Sequence, residues 1–230
     1  MLQQLVLDWR LKLQQPDLIF GAVTLAPWYH KEDTTSFPNL RLQQINLTHY
    51  VSNTFIVNNL DCGDYSKAGQ VHSPYKQKQG ERAANGIASM SGLVSLEYLS
   101  PTYNSSSFKF EDNSTTTTTT TTLVVTVILK KDGLYDRPIL VDNNVSCPAT
   151  ANSMCESFEV MEKETGKWHK VSRVRNGRNS NEIELIVDNW SKGVEIIATR
   201  AMFSNWPLVL VRNALQVPLL PWWENITMKR

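Results

Sequence analysis

The stretch SNTFIVNNLDCGDYSKAGQVHSPYKQKQGERAA, Ser52 to Ala84, decides how the first part of this chain is read. Thr54 to Leu60 is a short apolar run, β-branched and aromatic at its start, and predicts a strand. Asp61 to Ser73 is polar and predicts a long loop. Ser73 followed by Pro74 has the pattern of a helix N-cap with proline at the first helical position. The helix that follows carries Ala83, Ala84, Ile87 and Ala88 on its packing side.

Upstream the same alternation holds. Leu2, Leu5, Val6, Trp9 and Leu13 recur with helical spacing, and Pro16 stops that helix. Leu18 to Ala26 is almost wholly apolar, as expected of a strand in a parallel sheet covered on both faces. A polar loop reaches Ser36, and Pro38 opens a second helix carrying Leu40, Ile45 and Leu47. Residues 1–91 therefore predict helix, strand, helix, strand, helix, a run of βα units. Two parallel strands make a poor sheet, since each has an open edge. The expectation is that this segment belongs to a larger α/β domain whose earlier strands lie outside the sequence.

The pattern changes after Gly92. Leu123 to Leu129, Glu182 to Val187 and Val194 to Thr199 read as strands, and Asp132-Gly133, Thr165-Gly166 and Lys192-Gly193 supply turns. Residues 92–230 predict an all-β, sandwich-like domain. The threonine tract Ser114 to Thr122 is low in complexity and predicts a solvated insertion in a β loop. The expected fold class is α/β plus all-β.

Of the 230 residues, 41% are hydrophobic and 20% charged, and the formal net charge is +1. This is a globular composition without the basic footprint of a nucleic-acid binder. No apolar stretch is long enough for a membrane span. Leu5-Val6-Leu7 is followed at once by Asp8, Arg10 and Lys12, so no signal peptide is expected within the chain. Cys147 and Cys155 are close together in a polar stretch, and read either as a small-loop disulfide of a secreted protein or as two free surface thiols. No cysteine or histidine spacing fits a zinc motif, so no metal site is expected. N-x-S/T sequons occur at Asn46, Asn104, Asn113, Asn144, Asn189 and Asn225, a mild excess over the about three that composition alone would give.

His72 is the best candidate for a chemical residue. It sits after a strand and just before a helix, where open α/β sheets carry their ligand sites. Its surroundings resemble the sialate O-acetylesterase family of SGNH hydrolases, in which a strand ends in an Asp-containing turn and leads to an Ile-His-Pro motif. A Lys-Gln and an Arg on the next helix follow there. Asn53-Thr54, Asp61, Asp64, Val71-His72, Lys76-Gln77, Gly80 and Arg82 fall in that order here. Asp8-Trp9-Arg10, the helix FPNLRLQQ (Phe37 to Gln44), Trp206-Pro207, Asn213 and VPLLPW (Val217 to Trp222) resemble other blocks of the family.

The resemblance implies that residues 1–91 are the C-terminal half of a three-layer α/β/α SGNH domain, followed by a β-sandwich-like accessory domain. It also implies a cofactor-free serine esterase acting on O-acetylated sialoglycans, in a secreted or lysosomal setting. His72 would be the general base, oriented by an acid. That family's serine stands in a Gly-Gln-Ser-Asn type of turn, and no such turn occurs in these 230 residues. The usual place of the acid, three residues before the histidine, is Gly69. Asp64 and Asp61 are the nearest candidates, and a backbone carbonyl is a third option. Lys76, Lys78 and Arg82 read as a solvated helix face or as a carboxylate-binding one; Trp28 and Tyr29 read as packing or as a sugar platform. Three functional alternatives stand together: part of an active esterase, a non-catalytic glycan-binding paralogue, or a chain that works only with a partner carrying the serine.

Overall fold

The architecture was described from a computed structural model covering residues 2–28, 35–64, 72–94, 97–114, 119–147, 155–191 and 193–226. Helices α1 (Leu2–Lys12), α2 (Ser36–Tyr50) and α3 (Lys76–Met90) alternate with two short strands, β1 (Phe20–Val23) and β2 (Thr54–Val57), which pair in parallel. Ten further strands follow. They are β3 (Tyr103–Ser114), β4 (Thr119–Leu129), β5 (Leu140–Val141), β6 (Phe158–Glu162), β7 (Trp168–Lys170), β8 (Arg173–Asn176), β9 (Glu182–Trp190), β10 (Ile196–Ala201), β11 (Val211–Arg212) and β12 (Trp222–Asn225).

The main core lies between two antiparallel four-stranded sheets, ordered β3-β4-β9-β8 and β12-β10-β6-β7. Alternation in β4 puts Leu123, Val125, Val127 and Leu129 on one face, in register with Val187, Leu185 and Ile183 of β9. Phe158, Val160, Ile196 and Trp222 of the second sheet belong to the same buried cluster. Each such side chain contributes roughly 1.5–3 kcal/mol on burial, and this period-2 pattern is what a sandwich requires. A small ribbon, β5 with β11, lies beside them.

The expected three-layer α/β/α domain is not what the described residues form. The parallel part is two strands of four residues each, and most of the strand residues described are antiparallel. The βα alternation was legible because it is local. It carries no information on how many strands share a layer, and the apolar run Leu18 to Ala26 shortens to four paired residues. The α1 stripe is likewise only partly used: Val6 is buried, whereas Leu5, Trp9 and Leu13 are exposed. Two further boundaries moved. Helix α3 starts at Lys76, and the Ser73 hydroxyl instead accepts a hydrogen bond from the Tyr75 amide. Thr119 to Thr122 are not loop but the start of β4, paired with Ser114 to Glu111, as suits β-branched residues.

So small a parallel ribbon is held by side chains that bind its backbone. Arg10 donates to the carbonyls of Leu18, Ser52 and Asn53, fixing the starts of β1 and β2. Gln44 of α2 accepts from the Leu25 amide and donates to the Val23 carbonyl. Arg41, fully buried and without a carboxylate partner among the described residues, donates to the carbonyls of Leu25 and Ala26 and, across the chain, to those of Ser204 and Asn205. Burial lowers its guanidinium to about 9, still cationic at neutral pH. On the α3 side, Phe55 lies against Gly21 and Gly86; a Cβ at Gly86 would fall 2.2 Å from its ring.

Arg41→Met is expected to lower the unfolding free energy by roughly 3 kcal/mol or more, because four buried carbonyls lose their donor. Arg41→Lys should recover less than half, since one ammonium cannot span both carbonyl pairs. Urea unfolding of the three proteins measures both.

Candidate functional site

Because β1 and β2 run parallel, their carboxyl ends emerge together. The Thr24 amide bonds the Val57 carbonyl, and the Thr24 hydroxyl accepts from the Asn59 amide at 2.9 Å. Asn58 turns inward, donating to Ser100 Oγ and to the carbonyls of Pro218 and Leu219. The chain leaving β2 is thereby tied to the end of the molecule that is remote in sequence.

A cleft of about 190 Å³ opens at these carboxyl ends, with Pro27, Asp61, Gly63, Tyr75, Trp206 and Arg212 in its wall. Gly63 is required by close approach: a Cβ there would lie 2.7 Å from the Trp206 ring and 3.0 Å from Pro27. A larger groove of about 430 Å³, with His49, Thr54, Tyr98 and Trp223 in its wall, lies toward the start of β2. Ligand sites of parallel sheets sit at the carboxyl ends, so the smaller cleft is the candidate.

Asp61 is the electrostatic centre of that cleft. Its side chain is 3% exposed and meets three cations: Arg82 in a two-pronged pair at 2.7 and 2.9 Å, Lys78 at 2.6 Å and Arg212 at 2.8 Å. Burial by itself would raise the carboxyl. The hydrogen bonds and charges of Arg82 and Lys78 prevail and hold it well below the usual carboxylate range. Arg82 also donates to the Asn58 carbonyl at 2.6 Å, locking α3 to the end of β2. Cys62, the next residue, is buried; desolvation and the Asp61 charge push its thiol up to about 11, so it is no thiolate nucleophile at neutral pH.

In sequence His72 stands between Gly63 and Tyr75, two residues of the cleft wall, without itself lining it, and it is exposed. Among the described residues it makes no side-chain hydrogen bond. Asp64 is half-buried; residues 65–71, which separate it from His72, lie outside the described residues. The structure brings Asp61 to Lys78 and Arg82, where the sequence offered Asp61 as a possible orienting acid and the helix cations as a solvated or carboxylate-binding face; among the described residues His72 bonds to none of them. The helix cations Lys78 and Arg82 are structural partners of Asp61 as well as a charged face. Trp28 follows β1 and packs on Phe37, its amide bonded to the Asn205 carbonyl; Tyr29 lies outside the described residues.

Arg212 was not found by reading the sequence. It reaches Asp61 from 151 residues away, on a strand of two residues, and no local pattern announces such a contact. Of the sequon asparagines, Asn104, Asn144, Asn189 and Asn225 are exposed, Asn46 is half-buried on α2, and the Asn113 side chain lies outside the described residues. Cys147 and Cys155 are joined in a disulfide. No cluster among the described residues could hold a metal ion, and no described helix is long and apolar enough to cross a membrane.

No family model matches the chain, and no curated protein matches its sequence. Its fold is similar to the crystal structure of a carbohydrate acetylesterase from Xanthomonas citri, with a TM-score of 0.69 and 15% identity. The match covers 97% of this chain but only 44% of that enzyme. The likeness is one of fold, and this chain spans less than half the length of the protein it resembles.

Asp61 titrates lower when folded than the about 3.9 of a free aspartate, so its stabilisation is complete above roughly pH 4 and fades as pH falls toward the folded value. Asp61→Asn is expected to cost roughly 3 kcal/mol at pH 7, where it leaves three cations without their anion, and clearly less at pH 3. Urea unfolding at the two pH values gives the difference; an equal cost at both would contradict the assignment.

Proposed function

We propose that this chain is part of an esterase that removes acetyl groups from carbohydrate, with O-acetylated sialic acids as the substrate class. The observation that carries the reading is the cleft at the carboxyl ends of the parallel strands, whose wall residues Gly63 and Tyr75 bracket His72 in sequence. The fold likeness to a carbohydrate acetylesterase supports it, as does the order of motifs around His72.

In this reading His72 is the general base. A serine hydroxyl is a weak nucleophile at neutral pH and needs a base beside it. The serine attacks the acetyl carbonyl carbon and its proton passes to His72. When the tetrahedral adduct collapses, His72 returns that proton to the departing sugar hydroxyl. Water then releases acetate by the same route. The serine comes from outside these 230 residues, since no Gly-Gln-Ser type of turn occurs within them. Asp61 is saturated by cations, so Asp64 is the acid proposed to orient His72. A secreted or lysosomal setting goes with this reading, supported by the disulfide and the four exposed sequon asparagines.

A second reading, a glycan-binding module without catalysis, is favoured by one feature. The exposed ring of Trp223 is propped by edge contacts with Trp168 and Phe203 at 5.5 and 5.1 Å, and makes a ready platform for a sugar face.

The 230-residue chain alone is expected to hydrolyse 4-nitrophenyl acetate no faster than buffer. Combined with a serine-bearing portion, it should deacetylate O-acetylated sialic acid, and His72→Ala should lower kcat by about 10³-fold or more. Turnover by the chain alone that His72→Ala abolishes would mean a nucleophile within it. Full activity of the combined His72→Ala protein would sink the assignment of the base.

A further inference from the structure

Three cations share the Asp61 carboxylate, and they are not equally occupied. Arg82 has both terminal nitrogens engaged: Nη1 with Asp61 and the Asn58 carbonyl, Nη2 with Asp61 and the Gln216 carbonyl. It is also the most enclosed of the three, with 11% of its side chain exposed. Lys78 spends its charge on Asp61 from the rim. Arg212 is different. Only its Nη1 is used, by Asp61 at 2.8 Å and by the Gln216 carbonyl at 3.3 Å. Its Nε and Nη2 bond to no described residue, although the side chain is only 23% exposed and forms part of the cleft wall.

Several features hold that guanidinium in place. Gln216 has φ of +61°, a left-handed conformation uncommon for a residue with a side chain. Asn213 braces the turn, its Oδ1 accepting from the amides of Leu215 and Val217. The result aims the Gln216 carbonyl at both Arg82 and Arg212. Backbone strain of this kind is kept where the surroundings over-determine it, and it clusters at ligand sites. The neighbouring thiol, Cys62, stays protonated and adds no negative charge. The cleft therefore has a fixed, partly desolvated guanidinium with unused donors, an aromatic wall in Trp206 and Tyr75, and more positive charge than Asp61 cancels.

We propose that Arg212 is the specificity-determining residue of this cleft, its unused guanidinium N–H groups donating to the carboxylate of an acidic acetylated sugar. The proposal rests on the acetylated-sugar reading above and adds the residue that tells an acidic sugar from a neutral one. A planar guanidinium suits this task because it presents paired donors to a carboxylate, and it can bridge the buried Asp61 and an incoming anion at once. Arg212 is a recognition residue; it takes no part in proton transfer.

The test uses the 230-residue chain, with N-acetylneuraminic acid and its methyl ester as probes, followed by saturation-transfer NMR and tryptophan fluorescence. The acid is expected to bind about tenfold or more tightly than the ester, the size of one charge-assisted contact. Arg212→Gln should abolish that preference, and Arg212→Lys should keep part of it. Equal binding of acid and ester by the unchanged chain would overturn the role of Arg212 while leaving the acetylated-sugar reading in place. That comparison needs no variant to fold. A preference that survives Arg212→Gln would also overturn it. Failure of both probes to bind would sink the cleft as a sugar site altogether.

Discussion

The Asp61 carboxylate is the constraint on which the rest of the structure hangs. A carboxylate with 3% exposure has lost nearly all its hydration, and an uncompensated charge of that kind is not tolerated in a folded protein. Arg82 reaches it from α3, Lys78 from the same helix, and Arg212 from the far end of the chain. One buried anion thereby fixes the exit of β2, the start of the third helix and the turn after β11 in a single arrangement. In sequence, His72 stands between two of these fixed points, Asp61 and Lys78.

A second constraint acts through carbonyl groups. A two-stranded parallel ribbon leaves both outer edges unpaired and cannot stabilise itself. Arg10, Arg41, Gln44 and Asn58 bind backbone at its starts and exits, and Arg41 and Asn58 also bind backbone of residues 204–205 and 218–219. These residues stand in the blocks whose order resembles a hydrolase family, and apart from the Asn58 bond to Ser100 Oγ their side-chain hydrogen bonds among the described residues are to backbone. A motif of this type marks where a strand end is held. It locates a site without belonging to its chemistry, so the short ribbon and the sandwich present one cleft wall.

Several parts of this arrangement could be read from residues alone. The βα alternation over 1–91 placed the three helices and both parallel strands, because helical and strand periodicities are properties of neighbouring residues. The strong strands β4, β9 and β10 were legible for the same reason. Strand β3 was not: its sequence, YNSSSFKFEDNS, is polar, and it is a strand because it pairs along its whole length with β4. The three-layer domain failed similarly. Two strands with the right composition were visible, but the number and order of strands in a layer depend on long-range pairing that no local pattern records. At the site, Asp61, Lys78, Arg82 and His72 could be picked out because they lie within one stretch. Arg212 could not, because its role exists only once β11 is folded back beside β2.

The order of residues, read alone, shows where strands and helices alternate, which stretch carries the candidate base, and that no Gly-Gln-Ser turn accompanies it within the chain. Those are facts of composition and spacing. It took the folded chain to show that Asp61 is consumed by three cations, that Arg41 joins residues 25–26 to 204–205, and that Arg212, in the cleft wall, keeps unused donors. Each of these depends on desolvation and on contacts spanning more than a hundred residues. A buried charge chooses its partners by distance in space, which the order of residues does not encode.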